Sequence, residues 1–157
     1  MEKIKFIKAK DKSELVRFYP IMKELRQDLS YGDYLTIYDE AHAKDGYEIV
    51  GVESGSHIYA VMGYRVLTDF LHGRHLYIDD LVSSANQQSK GYGAKLLAHA
   101  ETIAKELGCK LLRLGAGISN ERGQQFYERE GWDLKGVTYK KQVNLQGQAI
   151  ANFNRVI

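Results

Sequence analysis

The stretch Gln88-Ser89-Lys90-Gly91-Tyr92-Gly93-Ala94 stands where a polar loop runs into an amphipathic helix. A helix start presents unpaired N–H groups and about half a positive charge, which suits phosphate oxygens. Gly91 and Gly93 let a ligand reach the backbone without a Cβ in the way, and Lys90 adds a cation. The spacing therefore predicts a diphosphate held largely by main-chain donors. It is not a Rossmann fingerprint, which needs a third glycine where this chain has Leu96. Nor is it a Walker A loop, because Gly93 is followed by Ala94 and Lys95.

Asp79 and Asp80 are adjacent carboxylates, a residue type able to accept a proton. On a regular strand adjacent side chains point to opposite faces, so Leu76, Ile78, Asp80 and Val82 form one set and Tyr77, Asp79 and Leu81 the other. At most one acid then faces a substrate, unless a bulge intervenes. Tyr31 and Tyr34 lie in an aromatic and acidic segment running to Glu40, which could wall an ammonium site; a helix with a wet acidic face is the plainer reading. His72 and His75 have a separation seen in metal sites but lack an evident third ligand, so a solvated loop and no metal is expected. Cys109 opens a strand and reads as a core thiol rather than a nucleophile.

These residues need a frame. A strand over residues 4–9 precedes a helix capped by Asp11 or Ser13, with Leu15, Phe18, Ile21, Met22, Leu25 and Leu29 at helical spacing. Pro20, inside that run, should bend or divide it. A second helix is expected over residues 31–43. A strand opened by Gly46 and running to Val52, a second from 57 to about 67 and a third over 75–83 read as an antiparallel meander. Leu96, Leu97, Ala100, Ile103, Ala104 and Leu107 mark the next helix, which Gly108 ends. A strand over 110–114, a helix over about 120–129 and a last strand over 137–143 follow; the tail 146–157 is unassigned. The order predicts a mixed α+β sheet with one right-handed crossover, in a single domain over residues 1–157.

Composition agrees: 157 residues, 44% apolar and 27% charged, suit one globular unit. The formal charge of +2 is too thin a surplus to imply nucleic acid as a partner. A lone cysteine excludes an internal disulfide framework and is compatible with a reducing compartment. Neither a signal-peptide core nor a bilayer-length apolar stretch is present, so a cytoplasmic location without membrane attachment is expected.

Gln88-x-x-Gly91-x-Gly93 resembles the Gln/Arg-x-x-Gly-x-Gly/Ala signature of the GNAT superfamily of acyl-CoA-dependent N-acetyltransferases. Tyr77-Ile78-Asp79-Asp80-Leu81-Val82 is similar to that family's fourth strand. Asn120 followed by Phe126-Tyr127-Glu128-Arg129-Glu130-Gly131-Trp132 is similar to its fourth-helix motif. The motif resemblance covers residues 76–143, and the N-terminal half agrees in element order. Ser83, Ser84 and Ala85 depart from the pattern, standing where many relatives carry an apolar residue and a proline, and Gln88 replaces the commoner arginine.

The resemblance implies a mostly antiparallel sheet, flanked by helices, whose fourth and fifth strands splay to admit acetyl-CoA. Its pantetheine arm would pair along Leu81, Val82 and Ser83, with the amide near Val82 facing the thioester oxygen. The diphosphate would rest on Gln88, Ser89, Lys90, Gly91, Tyr92, Gly93 and Ala94. Asn120 would reach the pantetheine arm. Tyr127 would reach the sulfur and act as general acid on the departing thiolate. An acid at Asp79 resembles the base of polyamine-acetylating relatives, which favours Asp79, acting directly or through water, with Asp80 as the alternative. The implied activity is acetyl transfer from acetyl-CoA to a primary amine, on a small molecule or a peptide, by direct attack in a ternary complex without a metal. A homodimer paired through the tail stays open. The competing reading is a non-catalytic acyl-CoA-binding module, which would keep the phosphate loop and need neither Tyr127 nor a base.

Overall fold

The computed structural model describes residues 3–87 and 90–145. The chain divides into two compact units, Met1–Leu114 and Gly115–Ile157.

The first unit runs β1 (Ile4–Lys8), α1 (Lys12–Leu25), α2 (Tyr31–Asp45), β2 (Glu48–Ser54), β3 (His57–Asp69), β4 (Gly73–Ser83), a 3-10 turn (Ala85–Gln87), α3 (Tyr92–Glu106) and β5 (Leu112–Leu114). The strands lie in the order β1-β2-β3-β4-β5; the first four pair antiparallel and β5 runs parallel to β4. A parallel neighbour needs a long crossover, which α3 supplies. The mixed α+β architecture expected from the sequence is the one observed.

Asp11 caps α1, its carboxylate accepting the Ser13 N–H at 2.8 Å. Pro20 lies inside α1 without dividing it. Leu15 and Phe18 before the proline, and Ile21 and Met22 after it, are buried in one core cluster, and that shared packing keeps the turns in register. Ser30 caps α2 by accepting the Asp33 N–H, and Gly46 ends α2 in the left-handed region at φ 67° rather than opening β2.

One face of the sheet, with Ile49 and Val61, packs beneath α1 and α2. Gly51 belongs to that face, and a Cβ there would lie 2.5 Å from the Phe18 ring. Phe18 is fully buried, worth about 2–3 kcal/mol. The alternate residues Val50, Val52, Ala60, Met62, Leu76 and Ile78 are buried on the opposite face, where Leu96, Ala100 and Ala104 of α3 pack.

Strand β5 pairs with β4 only at Leu76↔Leu112, Tyr77↔Arg113 and Ile78↔Leu114. From Asp79 to Ser83 the outer edge of β4 has no strand partner among the described residues of this unit. The two strands therefore pair over three residues and part beyond Ile78.

The second unit holds α4 (Glu121–Arg129). Asn120 caps it, accepting the Gly123 N–H at 3.0 Å, and the Trp132 N–H closes its end on the Tyr127 carbonyl at 2.9 Å. The expected strand over 137–143 is not formed: residues 133–145 have no regular structure. A strand exists by pairing, and among its described residues this unit offers no second strand. Gln88, Ser89 and the tail 146–157 lie outside the described residues. No helix among the described residues is long and apolar enough to cross a membrane.

Candidate active site

The register between β3 and β4 slips beside the two acids. Gly63 pairs with Asp80 and Tyr64 with Ile78, which leaves Asp79 as an extra residue on β4. The bulge breaks the alternation of side chains. Asp80 lies opposite Gly63, and Asp79 reaches Arg65, two residues along β3 on the same face. Both carboxylates therefore fall on the α1/α2 side of the sheet. The expectation of opposite faces holds for a regular strand, and β4 is not regular here.

Each acid has its own partners. Arg26, the C-cap of α1, points Nε and Nη2 at Asp80 Oδ1, at 3.1 and 2.9 Å. Its Nη2 also donates to the Asp79 carbonyl at 3.1 Å, tying the helix end to the bulge. The Tyr47 hydroxyl donates to Asp80 Oδ2 at 2.6 Å. Gly63 makes room for that phenol, because a Cβ there would overlap the Tyr47 hydroxyl. Burial and the neighbouring Asp80 charge hold the Tyr47 phenol well above its ordinary pKa, so it stays a donor.

Asp79 is gripped by the Arg65 fork, Nε to Oδ2 at 2.9 Å and Nη2 to Oδ1 at 2.7 Å. Burial pushes the Asp79 carboxyl above its ordinary pKa, and Arg65 pulls against that rise. Asp80 has partners on both oxygens, from Arg26 at the C-cap of α1 and Tyr47 just before β2, whereas the Asp79 carboxylate is held by Arg65.

At the other end of β4 the chain is pinned before it enters α3. The Ser84 N–H donates to the Tyr59 carbonyl at 2.8 Å, and the Ala85 N–H to Glu24 Oε1 at 2.7 Å. Gly91, at φ 82°, is the N-cap of α3 and has no side chain with which to cap it. The first helical bond runs from the Lys95 N–H to the Gly91 carbonyl at 3.1 Å. Among the described residues the first-turn amides of Tyr92, Gly93 and Ala94 receive no side-chain cap from the N-cap position, and such amides lie outside the intrahelical ladder. The Tyr92 ring stacks on Tyr59, 5.5 Å between centroids, which anchors this first turn to β3.

The Ser84–Tyr59 bond also sets the phase of the ladder. Pairs alternate between bonded and non-bonded, so Val61/Val82 exchange bonds and Met62/Leu81 and Ala60/Ser83 do not. The Val82 amide is directed at β3. The backbone groups of Leu81 and Ser83 point away from β3 instead.

In the second unit Tyr127 lies on α4 between Phe126 and Trp132, edge-on to both, with centroids 5.2 and 6.0 Å away. Burial raises the pKa of its hydroxyl. Asn120 commits its Oδ1 to the helix cap. Tyr34 does not wall a substrate site: it is buried, and its hydroxyl donates to the Leu15 carbonyl at 2.8 Å. Tyr31 is 40% exposed and meets Tyr19 edge-on at 5.3 Å. Arg26, Tyr47 and Arg65 escaped the motif reading. The usable signal was chemical: two adjacent acids on a half-buried strand require cationic partners.

Residues 13–132 match the profile of the Acetyltransferase (GNAT) family. The uncharacterized N-acetyltransferase YhdJ of Bacillus subtilis (strain 168) is 32% identical over 133 residues, covering 84% of this chain and 94% of that protein. The thialysine N-epsilon-acetyltransferase of Bos taurus is 24% identical over 135 residues, covering 71% of this chain and 79% of that one. Among solved structures, the aminoglycoside N-acetyltransferase AAC(6')-Iy in complex with CoA superposes with a TM-score of 0.78 at 13% identity, covering 91% of this chain and 97% of that chain. The fold and the open β4 edge thus meet the sequence match, and the chain belongs to the GNAT family of acetyltransferases.

Proposed function

We propose that the protein transfers the acetyl group of acetyl-CoA to a primary amine, by direct attack within a ternary complex. The observation that carries this reading is the glycine N-cap of α3, which offers no side-chain cap, following a β4 edge without a strand partner from Asp79 to Ser83 among the described residues. The family match runs through the boundary between the two units, which supports their acting as one acetyltransferase domain. Solved neighbours bound to CoA, and to a bisubstrate analogue joining CoA to an acetylated aminoglycoside, support both the donor and an amine acceptor.

In this mechanism the amides of residues 91–94, with Lys90, Gln88 and Ser89, hold the diphosphate. The outward groups of Leu81 and Ser83 pair with the pantetheine arm as an added strand would, and Asn120 reaches it. The Leu81 amide polarises the thioester oxygen. An alkyl ammonium has a pKa near ~10, so Asp79 must accept a proton, directly or through water, before attack. Arg65 releases the carboxylate to the incoming amine and stays close enough to limit its charge. Tyr127, protonated across neutral pH, returns a proton to the departing thiolate.

Calorimetric titration with acetyl-CoA, followed by thiol-release assays over an amine panel, tests the scheme. Micromolar cofactor binding and turnover on at least one amine are expected. Tyr127→Phe should lower kcat by about 10²-fold or more while leaving cofactor affinity within a few-fold. A folded protein that fails to bind acetyl-CoA refutes the proposal. Tight binding without turnover on any amine returns the protein to the role of a binding module.

A further inference from the structure

The tip of the β3–β4 hairpin carries a second cluster that acetyl transfer does not use. His72 and His75 lacked a third ligand in the sequence, and the fold supplies one: Asp69, from the last position of β3, lies across the turn from both. We propose that Asp69, His72 and His75 form a binding site for a divalent transition-metal ion of the zinc class, with water completing the shell.

The geometry is close to what such an ion requires. One ligand atom from each residue lies within 4.8 Å of the others. Zinc bonds of about 2.0–2.1 Å in a tetrahedron set ligand atoms about 3.3 Å apart. Here His72 Nδ1 is 3.0 Å and His75 Nε2 4.0 Å from Asp69 Oδ2, on either side of that value. Two imidazoles and one carboxylate suit zinc better than calcium or magnesium, which prefer oxygen alone.

The outer contacts are also those of a ligand set. His75 Nδ1 lies 2.9 Å from the Gly73 carbonyl, which can only accept, so Nδ1 carries the proton and Nε2 turns its lone pair into the cluster. This outer hydrogen bond is the usual means of fixing a metal-binding imidazole. Asp69 is aimed in turn by the His72 backbone N–H, 2.6 Å from its Oδ1. Gly73, at φ 65°, makes the reversal that sets the two rings 5.0 Å apart.

A cation already stands at the position in question. Arg113 Nη1 donates to His75 Nε2 at 3.0 Å and lies 3.9 Å from Asp69 Oδ2. Its side chain is 37% exposed, so it can withdraw toward solvent along the Tyr77 ring, 5.3 Å from its guanidinium carbon. Metal entry then exchanges one positive partner for another. As His72 Nδ1, now bonded to Asp69, takes the metal, its proton is given up to solvent and Nε2 takes one in return, so the ring ligates as a neutral imidazole.

The test uses tag-free full-length protein titrated with Zn²⁺ against a chromophoric chelator. One ion per chain with a micromolar or tighter dissociation constant is expected. Asp69→Asn and His72→Ala should each weaken it by about tenfold or more. Arg113→Gln, which removes the competing cation, should tighten it several-fold. His75 is fully buried and is left unmutated. Co²⁺ absorption on the wild-type protein gives a measure independent of any variant, and intense four-coordinate bands are expected. The proposal is overturned by absent binding, by affinity indifferent to Asp69→Asn and His72→Ala, by Arg113→Gln binding no tighter, or by a weak six-coordinate cobalt spectrum.

Discussion

Replacing Gly63 by alanine probes the contact between β3 and the bulge. The added Cβ would overlap the Tyr47 hydroxyl and stand 2.5 Å from Tyr47 Cζ and 2.8 Å from Asp80 Oδ2. Nothing carbon-bound fits there, so the phenol must leave Asp80. Losing a hydrogen bond to a charged group costs about 1.5–3 kcal/mol, and overfilling a packed site about 1–3 kcal/mol. The sum centres on about 4 kcal/mol. For a chain of this size each kcal/mol moves the midpoint by about 2–4 °C, so Tm should fall by about 8–16 °C. Urea unfolding of wild type, Gly63→Ala, Tyr47→Phe and the double variant measures it. Phenylalanine removes the overlapping oxygen, so the alanine should cost less in that background, with a coupling of about 1 kcal/mol or more. A Gly63→Ala protein within about 0.5 kcal/mol of wild type, or strictly additive variants, would refute the reasoning.

Tyr34→Phe should lose about 1 kcal/mol in urea unfolding by removing the buried hydrogen bond to the Leu15 carbonyl, with kcat unchanged in thiol-release assays. Gly91→Ala forces a side chain into the left-handed region, at about 1–2 kcal/mol, and should weaken acetyl-CoA binding about tenfold by titration. Asp79 has a raised pKa in the folded protein, so between the ordinary value of 3.8 and the native one the folded state holds more protons than the unfolded. Its contribution to stability therefore increases as pH falls through that window, and Asp79→Asn should remove this slope from urea midpoints measured between pH 6 and 4. An unchanged slope would show that the carboxyl is not desolvated.

Local periodicity carried much of the first unit. Leu15, Phe18, Ile21 and Met22 marked α1, Leu96 to Ala104 marked α3, and alternating apolar residues marked β2 to β4. The site was legible only where it is local. The glycine-opened start of α3 is a matter of neighbouring residues, and it could be read directly. The bulge at Asp79 could not, because register is settled by what packs across the sheet, here the Tyr47 phenol over Gly63. The partners of the two acids are 54, 33 and 14 residues away in sequence, at Arg26, Tyr47 and Arg65, and no spacing rule connects them. Tyr34 and Tyr31 share a helix and a chemistry, yet only the fold decides which one the Leu15 carbonyl captures. Asp69 was three residues from His72, but a strand end and a turn had to be located before it counted as a neighbour.

The parting of β4 from β5 bears on how the protein behaves in a tube. Among the described residues of the first unit, amide and carbonyl groups from Asp79 to Ser83 lack a strand partner on the β5 side, and an unpaired border of that kind is one that an extended polypeptide can copy, a second molecule of the same chain included. Whatever occupies that border in function also shields it. Samples prepared without such a guest would be the ones inclined to self-associate, and a saturating small ligand would serve as their preservative.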